Sequence, residues 1–554
     1  MTADRATDRG EGRRVAVTTL TNPRSDPQRH RAWWQGAVIY EIYPRSFADS
    51  DGDGVGDLCG VAAHLDYLAA GPDGLGVDAI WLTPFYPSGG VDGGYDVTDY
   101  CQVDPAYGTL EDFDHLIAQA HRRGLRVIID WVPNHTSDMH PWFAEARVSR
   151  DAPRRDWYVW ADGRDGGPPS NWLSAFDGVG PAWSYDEVTG QWYLHSFSPH
   201  QPDLNWDNPA LRAAMADVLC FWLRRGVDGF RIDVAQCLGK DPLCADNPWP
   251  VTKPTRESVG YRHDEDWDTV FERLAELRHV ADGFGDRLLV GEVYVLGQER
   301  LAQYAAPGRL HLAHDFSLIR QSWSADGFRR IVETHEAVAP GGAYAAWFLN
   351  NHDHPRVASR FDADGAGWAR ARLAAVMLLT LRCTPFLFQG EELGLADSPI
   401  PAAAIVDVDG RDPVRTPMPW QSPADAGPGA GFTVGRPWLP IPPEAEHASV
   451  ATQHQDPNSM LWLYRRLIEL RNRHPALTHG RYRSEDAPDD VFAYRRTHPE
   501  GDLLIALNFA AQERQLPHTF RGVPLLSSDP RRTQDTASSG LCLAPHEALI
   551  LAGP

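Results

Sequence analysis

Between residues 38 and 388 short apolar runs alternate with stretches of helical spacing, and this alternation constrains the fold more than any other feature of the chain. Val38–Tyr43, Val77–Leu82, Leu125–Asp130, Gly229–Asp233, Leu288–Glu292, Leu310–Phe316, Ala345–Leu349 and Pro385–Phe388 are near-continuous apolar runs of strand length. Strands buried on both faces, as in parallel sheets, read this way. Val61–Ala70, Leu110–Arg123, Pro209–Arg225, Thr269–Ala281 and Ala369–Leu381 carry the helical pattern. Parallel strands need crossovers, and helices supply them. About eight βα units predict an α/β fold, a (β/α)8 TIM barrel with insertions, in preference to an open doubly wound sheet.

Two interruptions set the expected domains. From Trp131 to Asp207 the alternation stops and Trp, Gly, Pro and Asp dominate. A structureless loop of that length is improbable, so 131–207 is expected to be a subdomain inserted after the third strand. After the helical stretch Ser459–Arg473, short alternating runs such as Val491–Arg495 and Leu503–Phe509 predict an antiparallel β-sandwich over 478–554. The barrel then occupies 33–130 and 208–477. Residues 1–32 read as a flexible arm, and Pro401–Gly431 as an Ala/Gly/Pro-rich link.

Charge and cysteine content exclude several classes. A net charge of −23 repels nucleic acid and anionic membrane, so neither is expected as a partner. The seven cysteines are scattered and lack the close pairs of a zinc site, which suits free thiols in a reducing compartment. With no apolar run of spanning length and no signal-like start, the expectation is a cytoplasmic protein.

In a parallel barrel, side chains at the carboxyl ends of the strands converge on one face. Asp233, Glu292 and Asp353 fall at such ends, accompanied by Arg231, His135, His352 and Arg356, with Asp130, Tyr95 and Asp96 on the same side. Three recurring acids with aromatics, and neither a glycine fingerprint nor a serine elbow, suit glycoside chemistry. One acid attacks the anomeric carbon, another protonates the leaving oxygen, and a third holds hydroxyls as an oxocarbenium-like transition state forms. Separately, Asp49, Asp51, Asp53 and Asp57 stand at positions 1, 3, 5 and 9 of a loop with glycine at position 6. That is calcium-loop spacing, with the Val55 carbonyl as a fifth ligand, although Gly60 occupies the place of the usual glutamate.

The motifs Tyr40-Glu-Ile-Tyr-Pro-Arg-Ser-Phe47, Gly94-Tyr-Asp-Val-Thr-Asp-Tyr100, Asp130-Trp-Val-Pro-Asn-His135, Gln201-Pro-Asp-Leu-Asn205, Gly229–Asp233, Gly291-Glu292, Asn351-His-Asp-His354 and Thr384–Gly394 follow in family order. The chain resembles glycoside hydrolase family 13, the α-amylase superfamily, in its α-glucosidase and oligo-1,6-glucosidase branch. The resemblance implies Asp233 as nucleophile, Glu292 as general acid/base and Asp353 as the acid that grips the 2- and 3-hydroxyls. It implies Arg231 as the cation that keeps Asp233 ionised, His135 and His352 as hydroxyl binders, and Asp96 and Arg356 as the closed end, with Tyr95 beside them. It also implies a structural Ca2+ or Mg2+ in the Asp49–Asp57 loop, no organic cofactor, a small oligosaccharide as substrate, and a monomer or homodimer. Val234, next to Asp233, is associated with α-1,6 preference in oligo-1,6-glucosidases, whereas Ile232–Lys240 resembles α-1,4-acting enzymes. Both linkages, transglucosylation and trehalose-forming isomerisation stay open at this point.

Overall fold

Each apolar run forms a strand, and the strands close into a parallel barrel. The computed structural model describes residues 32–248, 263–295, 297–339, 342–407, 409–532 and 541–553; all but the last residue of the expected N-terminal arm lie outside these. In chain order the strands are β1 (Ile39–Ile42), β2 (Ala79–Leu82), β3 (Arg126–Trp131), β4 (Trp160–Ala161), β5 (Trp183–Asp186), β6 (Gln191–Leu194), β7 (Gly229–Ile232), β8 (Leu288–Glu292), β9 (Leu312–Asp315), β10 (Ala345–Trp347) and β11 (Cys383–Phe388). The barrel order is β1-β11-β10-β9-β8-β7-β3-β2, with parallel pairing throughout.

Among the residues that break the apolar pattern of the strands, Glu41, Asp130 and Arg231 are charged and each no more than 1% exposed. Buried charge is costly unless paired, so these residues mark where the strands serve a site. The expected helices form, one of them divided, and the structure adds others, among them Gln298–Tyr304 and Ala325–Val338. Leu110–Arg122 starts at a reciprocal cap between Thr109 and Asp112. The stretch expected as one helix over Val61–Ala70 is two, Leu58–Ala63 and Leu65–Leu68, broken at His64, whose φ of −108° leaves the helical region.

Between β3 and β7, β4, β5 and β6 form a separate antiparallel sheet in the order β4-β6-β5. Trp172, Ala182, Trp183 and Leu194 give it a core of its own. The C-terminal part contains β12 (Arg481–Ser484), β13 (Val491–Thr497), β14 (Leu503–Asn508), β15 (Arg514–Gln515), β16 (Val523–Ser527), β17 (Cys542–Leu543) and β18 (Ala548–Ala552). Five of these make an antiparallel sheet, β12-β13-β14-β18-β16, and β15 pairs with β17. Side-chain alternation divides the larger sheet's faces: Phe492, Tyr494, Ile505 and Ile550 join the main core, while Val491, Ala493, Leu504 and Leu551 pack with Leu516 and Leu543 of the ribbon region. Among the described residues no helix is long and apolar enough to cross a membrane.

Candidate active site

Arg231, 1% exposed, joins three of the acids at the carboxyl ends of the strands. Its Nη1 donates to Asp130 Oδ1 at 2.8 Å and Asp233 Oδ1 at 2.7 Å, and its Nη2 pairs with Glu292 Oε1 at 2.8 Å. The guanidinium is held under the Trp81 and Tyr95 rings, 5.3 and 5.7 Å from their centroids. Burial pushes the Asp233 carboxyl well above the usual carboxylate range; Arg231 pulls it back, and the Glu292 and Asp130 charges raise it again. Asp130 is likewise raised by burial against the pull of Arg231. One guanidinium thus faces three buried acids, and the mutual repulsion of their charges opposes the full ionisation of Asp130 and Asp233.

Asp353 has the opposite surroundings. Its Oδ1 receives Arg415 Nη2 at 2.7 Å and Arg411 Nη1 at 3.1 Å, and its Oδ2 lies 3.1 Å from His352 Nε2. Burial raises this carboxyl, but His352, Arg411 and Arg415 together bring it well below the ordinary range. Asp353 is therefore a fixed anion. His135, 1% exposed, has Nε2 3.1 Å from the Gln201 amide nitrogen, and burial lowers its titration so that the ring is neutral.

A pocket of about 350 Å³ opens onto Asp233, Glu292 and Asp353, with Tyr95, His135 and Val234 also on its wall. Phe176 and Phe197 come from the inserted segment, and Tyr294, Arg320, His354 and Asp409 also line it. Two residues expected at its closed end are not on its wall. Asp96 does not reach the pocket: it is 0% exposed, and its oxygens accept the Val91 and Asp92 amides at 3.1 Å each. The acid on the wall is Asp92, whose loop Asp96 thereby braces. Arg356 turns away too, donating to the Gln389 and Val414 carbonyls at 2.9 and 2.8 Å. Arg411 takes the place expected for it, with Nη2 2.5 Å from Asp92 Oδ1 and 2.6 Å from Asp407 Oδ1. Asp92 was visible three residues before Tyr95, but the Arg411 signal lay in a stretch read only as a link.

Val234 sits at φ 36° and ψ 51°, a left-handed conformation that a β-branched residue adopts only at a cost of about 1–3 kcal/mol. The bend turns its amide onto Glu292 Oε2 at 3.0 Å and its side chain toward Phe176 and Phe197. Glu292 is thus held at both oxygens. Lys240 fastens the inserted segment to the barrel: its Nζ donates to Asn134 Oδ1 at 2.7 Å and to the Cys237 carbonyl, and lies 3.1 Å from Asp203 Oδ2.

In the acidic loop, Asp49, Asp51 and Asp57 each bring an oxygen within 4.8 Å of the others, so the donor set fits a hard cation. Asp53 lies outside that group, its Oδ1 accepting the Val55 amide at 2.7 Å. Asp57 also caps the helix Leu58–Ala63 through the Gly60 amide. Gly54 approaches the Arg436 carbonyl so closely that a Cβ would lie 1.9 Å from its oxygen, which fixes the loop against the chain near residue 436.

The family profile described as "Alpha amylase, catalytic domain" matches residues 41–480. A probable alpha-glucosidase of Rhizobium meliloti (strain 1021) is 42% identical over 531 residues, covering 91% of this chain and 94% of the relative. An oligo-1,6-glucosidase of Parageobacillus thermoglucosidasius is 37% identical over 523 residues, covering 87% and 91%. Among solved structures, an alpha-glucosyl transfer enzyme superposes with a TM-score of 0.87 at 39% identity, covering 95% of this chain and 100% of that one. The trehalulose synthase from Pseudomonas mesoacidophila MX-45 gives 0.86 at 36%, covering 94% and 99%.

Proposed function

This chain belongs to the α-amylase family of glycoside hydrolases, in its α-glucosidase and oligo-1,6-glucosidase branch, and from that premise we propose that it is a retaining, exo-acting α-glucosidase. Its substrates are maltose and short malto-oligosaccharides, with sucrose as a further candidate. The observation that carries the reading is the Asp92–Arg411 ion pair on the wall of the pocket that holds the three carboxylates, which we take to close its inner end. A closed end admits only a chain terminus, so a single glucosyl unit sits between that pair and the acids.

In this reading Asp233 attacks the anomeric carbon while Glu292 gives its proton to the departing oxygen. A covalent glucosyl-enzyme forms; Glu292, now ionised, takes a proton from water, and the second displacement restores the original configuration. Arg231 stabilises the Asp233 carboxylate, and Asp353 binds the 2- and 3-hydroxyls more strongly as positive charge develops at the ring. Asp49, Asp51 and Asp57 would hold Ca2+ or Mg2+, which stiffens the loop and supplies no chemistry.

Transglucosylation is the second reading. It is favoured by Tyr294 and Arg320 on the pocket wall, the Tyr294 ring backed by the buried Phe316 at 3.9 Å, since a fixed aromatic face there suits a sugar acceptor. Product analysis on maltose, isomaltose, sucrose and trehalose, with and without added acceptor, tests both. Glucose released from maltose, first as the α-anomer by proton NMR, supports the hydrolase. Internally cleaved products from longer malto-oligosaccharides would refute exo action, and conversion of maltose to trehalose with little free glucose would replace hydrolysis by isomerisation.

A further inference from the structure

Glu41 is the acid of β1, a strand otherwise composed of Ile39, Tyr40 and Ile42. It is 1% exposed, and a buried carboxylate of this kind needs a cation. His352 Nδ1 lies 2.5 Å from Glu41 Oε1. Across the same ring, Nε2 lies 2.8 Å from the Tyr95 hydroxyl and 3.1 Å from Asp353 Oδ2. Tyr95 donates its own proton to Asp130 Oδ2 at 2.9 Å, so toward His352 it accepts. Both ring nitrogens therefore face acceptors, and the imidazolium is the form with an N–H at each. The ring is also stacked on Tyr95, with centroids 5.4 Å apart and planes 8° from parallel, and on Tyr43 at 6.2 Å and 12°. Those π faces favour a cation.

We propose that Glu41 is a positioning residue, which holds His352 as an oriented imidazolium and through it keeps Asp353 ionised and aimed at the sugar hydroxyls. The proposal rests on the reading of Asp353 and His352 as substrate-gripping groups.

The charges around His352 support it. Glu41 on β1 and Asp353 on the ring's own loop are the anions in contact, with Asp130 on β3 behind Tyr95. Arg231 on β7 opposes protonation, as does any charge on His314 of β9, which burial instead holds neutral. Arg415 donates to the His352 carbonyl at 2.8 Å, and Arg411 reaches the ring only through Asp353. Burial lowers the His352 titration, yet Asp353 and Glu41 raise it to about 9. Glu41 is thus an anionic support that leaves Asp353 free to meet substrate.

Glu41→Gln retains the shape and an oxygen for Nδ1 while removing the charge. The readout is the pH profile of kcat/KM on p-nitrophenyl α-glucoside. A group that works protonated, and whose pKa falls when an anion is removed, loses activity at lower pH. The alkaline limb should therefore move toward acid by about one pH unit or more, with activity retained near pH 6. Glu41→Asp, which keeps the charge, should keep the wild-type limb whatever its rate. A Glu41→Gln profile superimposable on the wild type refutes the proposal. A second measurement is independent of turnover and of that variant's folding: the His352 ring signal in 15N-histidine NMR, assigned by its loss in His352→Asn. At pH 8 it should be that of an imidazolium, and a neutral tautomer overturns the proposal. A wild type inactive on the aryl glucoside but with a charged His352 would instead sink the glucosidase reading.

Discussion

Arg411 and Arg356 offer the sharpest test of how the pocket is closed, because the part-buried Arg411 and the buried Arg356 end on different partners. Arg411 serves three carboxylates: Asp92 at 2.5 Å, Asp407 at 2.6 Å and Asp353 at 3.1 Å. In Arg411→Met, Asp407 retains Arg415 at 3.2 Å, and Asp353 retains Arg415 and His352. Asp92 falls back on the Gln201 amide at 2.8 Å, so the loss concentrates there. Removing one partner of a buried pair costs about 3–5 kcal/mol. If about 3 kcal/mol of this is lost from transition-state binding, kcat/KM falls roughly 10²-fold. Arg356→Met instead leaves the Gln389 and Val414 carbonyls without that donor, at about 1–3 kcal/mol each in stability. It should lower the melting temperature while the folded enzyme keeps a near-native KM. The assay is kcat and KM on p-nitrophenyl α-glucoside and maltose, below the melting onset of both variants. An Arg411→Met enzyme with unchanged kcat/KM, or an Arg356→Met enzyme whose KM rises as far, would refute the assignment of the closed end.

Asp233→Asn should abolish turnover of the aryl glucoside with an unaltered melting curve, since the amide keeps the shape and loses the nucleophile; full residual activity rules out Asp233. Lys240→Met strips the ammonium from Asp203, which is 0% exposed, and should cost about 3 kcal/mol, offset in part by the Ser196 amide and hydroxyl that also bond Asp203. Calorimetry should show the lower melting temperature, and because Asn134 precedes His135, KM should rise as well. Treatment with EDTA should lower the melting temperature and leave kcat unchanged at moderate temperature, with recovery on adding Ca2+ or Mg2+; coincident melts with and without metal would remove the cation from the Asp49–Asp57 loop.

The barrel was legible because its signal is periodic and repeated: each of eight buried strands leaves an apolar run, and an error in one does not erase the rest. Asp233 and Glu292 were legible for a related reason, being polar residues at the ends of such runs. The direction of a side chain in a loop leaves no comparable trace. Asp92 and Asp96 differ by one helical turn's worth of sequence in a glycine-rich bend, and only the path of that bend turns one to the pocket and the other to the backbone. Arg411 and Arg415 were hidden inside an Ala/Gly/Pro-rich stretch whose composition says loop and nothing about destination. Glu41 stands in the Tyr40–Phe47 motif, yet its partner stands 311 positions away and is brought to it only when β1 closes against β11.

The two halves of the pocket differ in how many cations serve each acid, and that ratio predicts the acid limb of the rate profile. Asp353 faces Arg411, Arg415 and His352 and has a depressed titration, so it stays ionised as pH falls and does not set the limb. Around Arg231 the ratio is inverted, with Asp130, Asp233 and Glu292 sharing one guanidinium. Asp233 must be ionised to attack, and its raised titration means that activity is lost as pH falls through the cluster's value. Asp130→Asn leaves an oxygen for Arg231 Nη1 but removes one competing anion. Asp233 then holds its charge to lower pH, and the acid limb of kcat/KM should move down by about one unit. A limb that stays in place would mean that Asp130 and Asp233 titrate independently, and the repulsion between them would lose its basis.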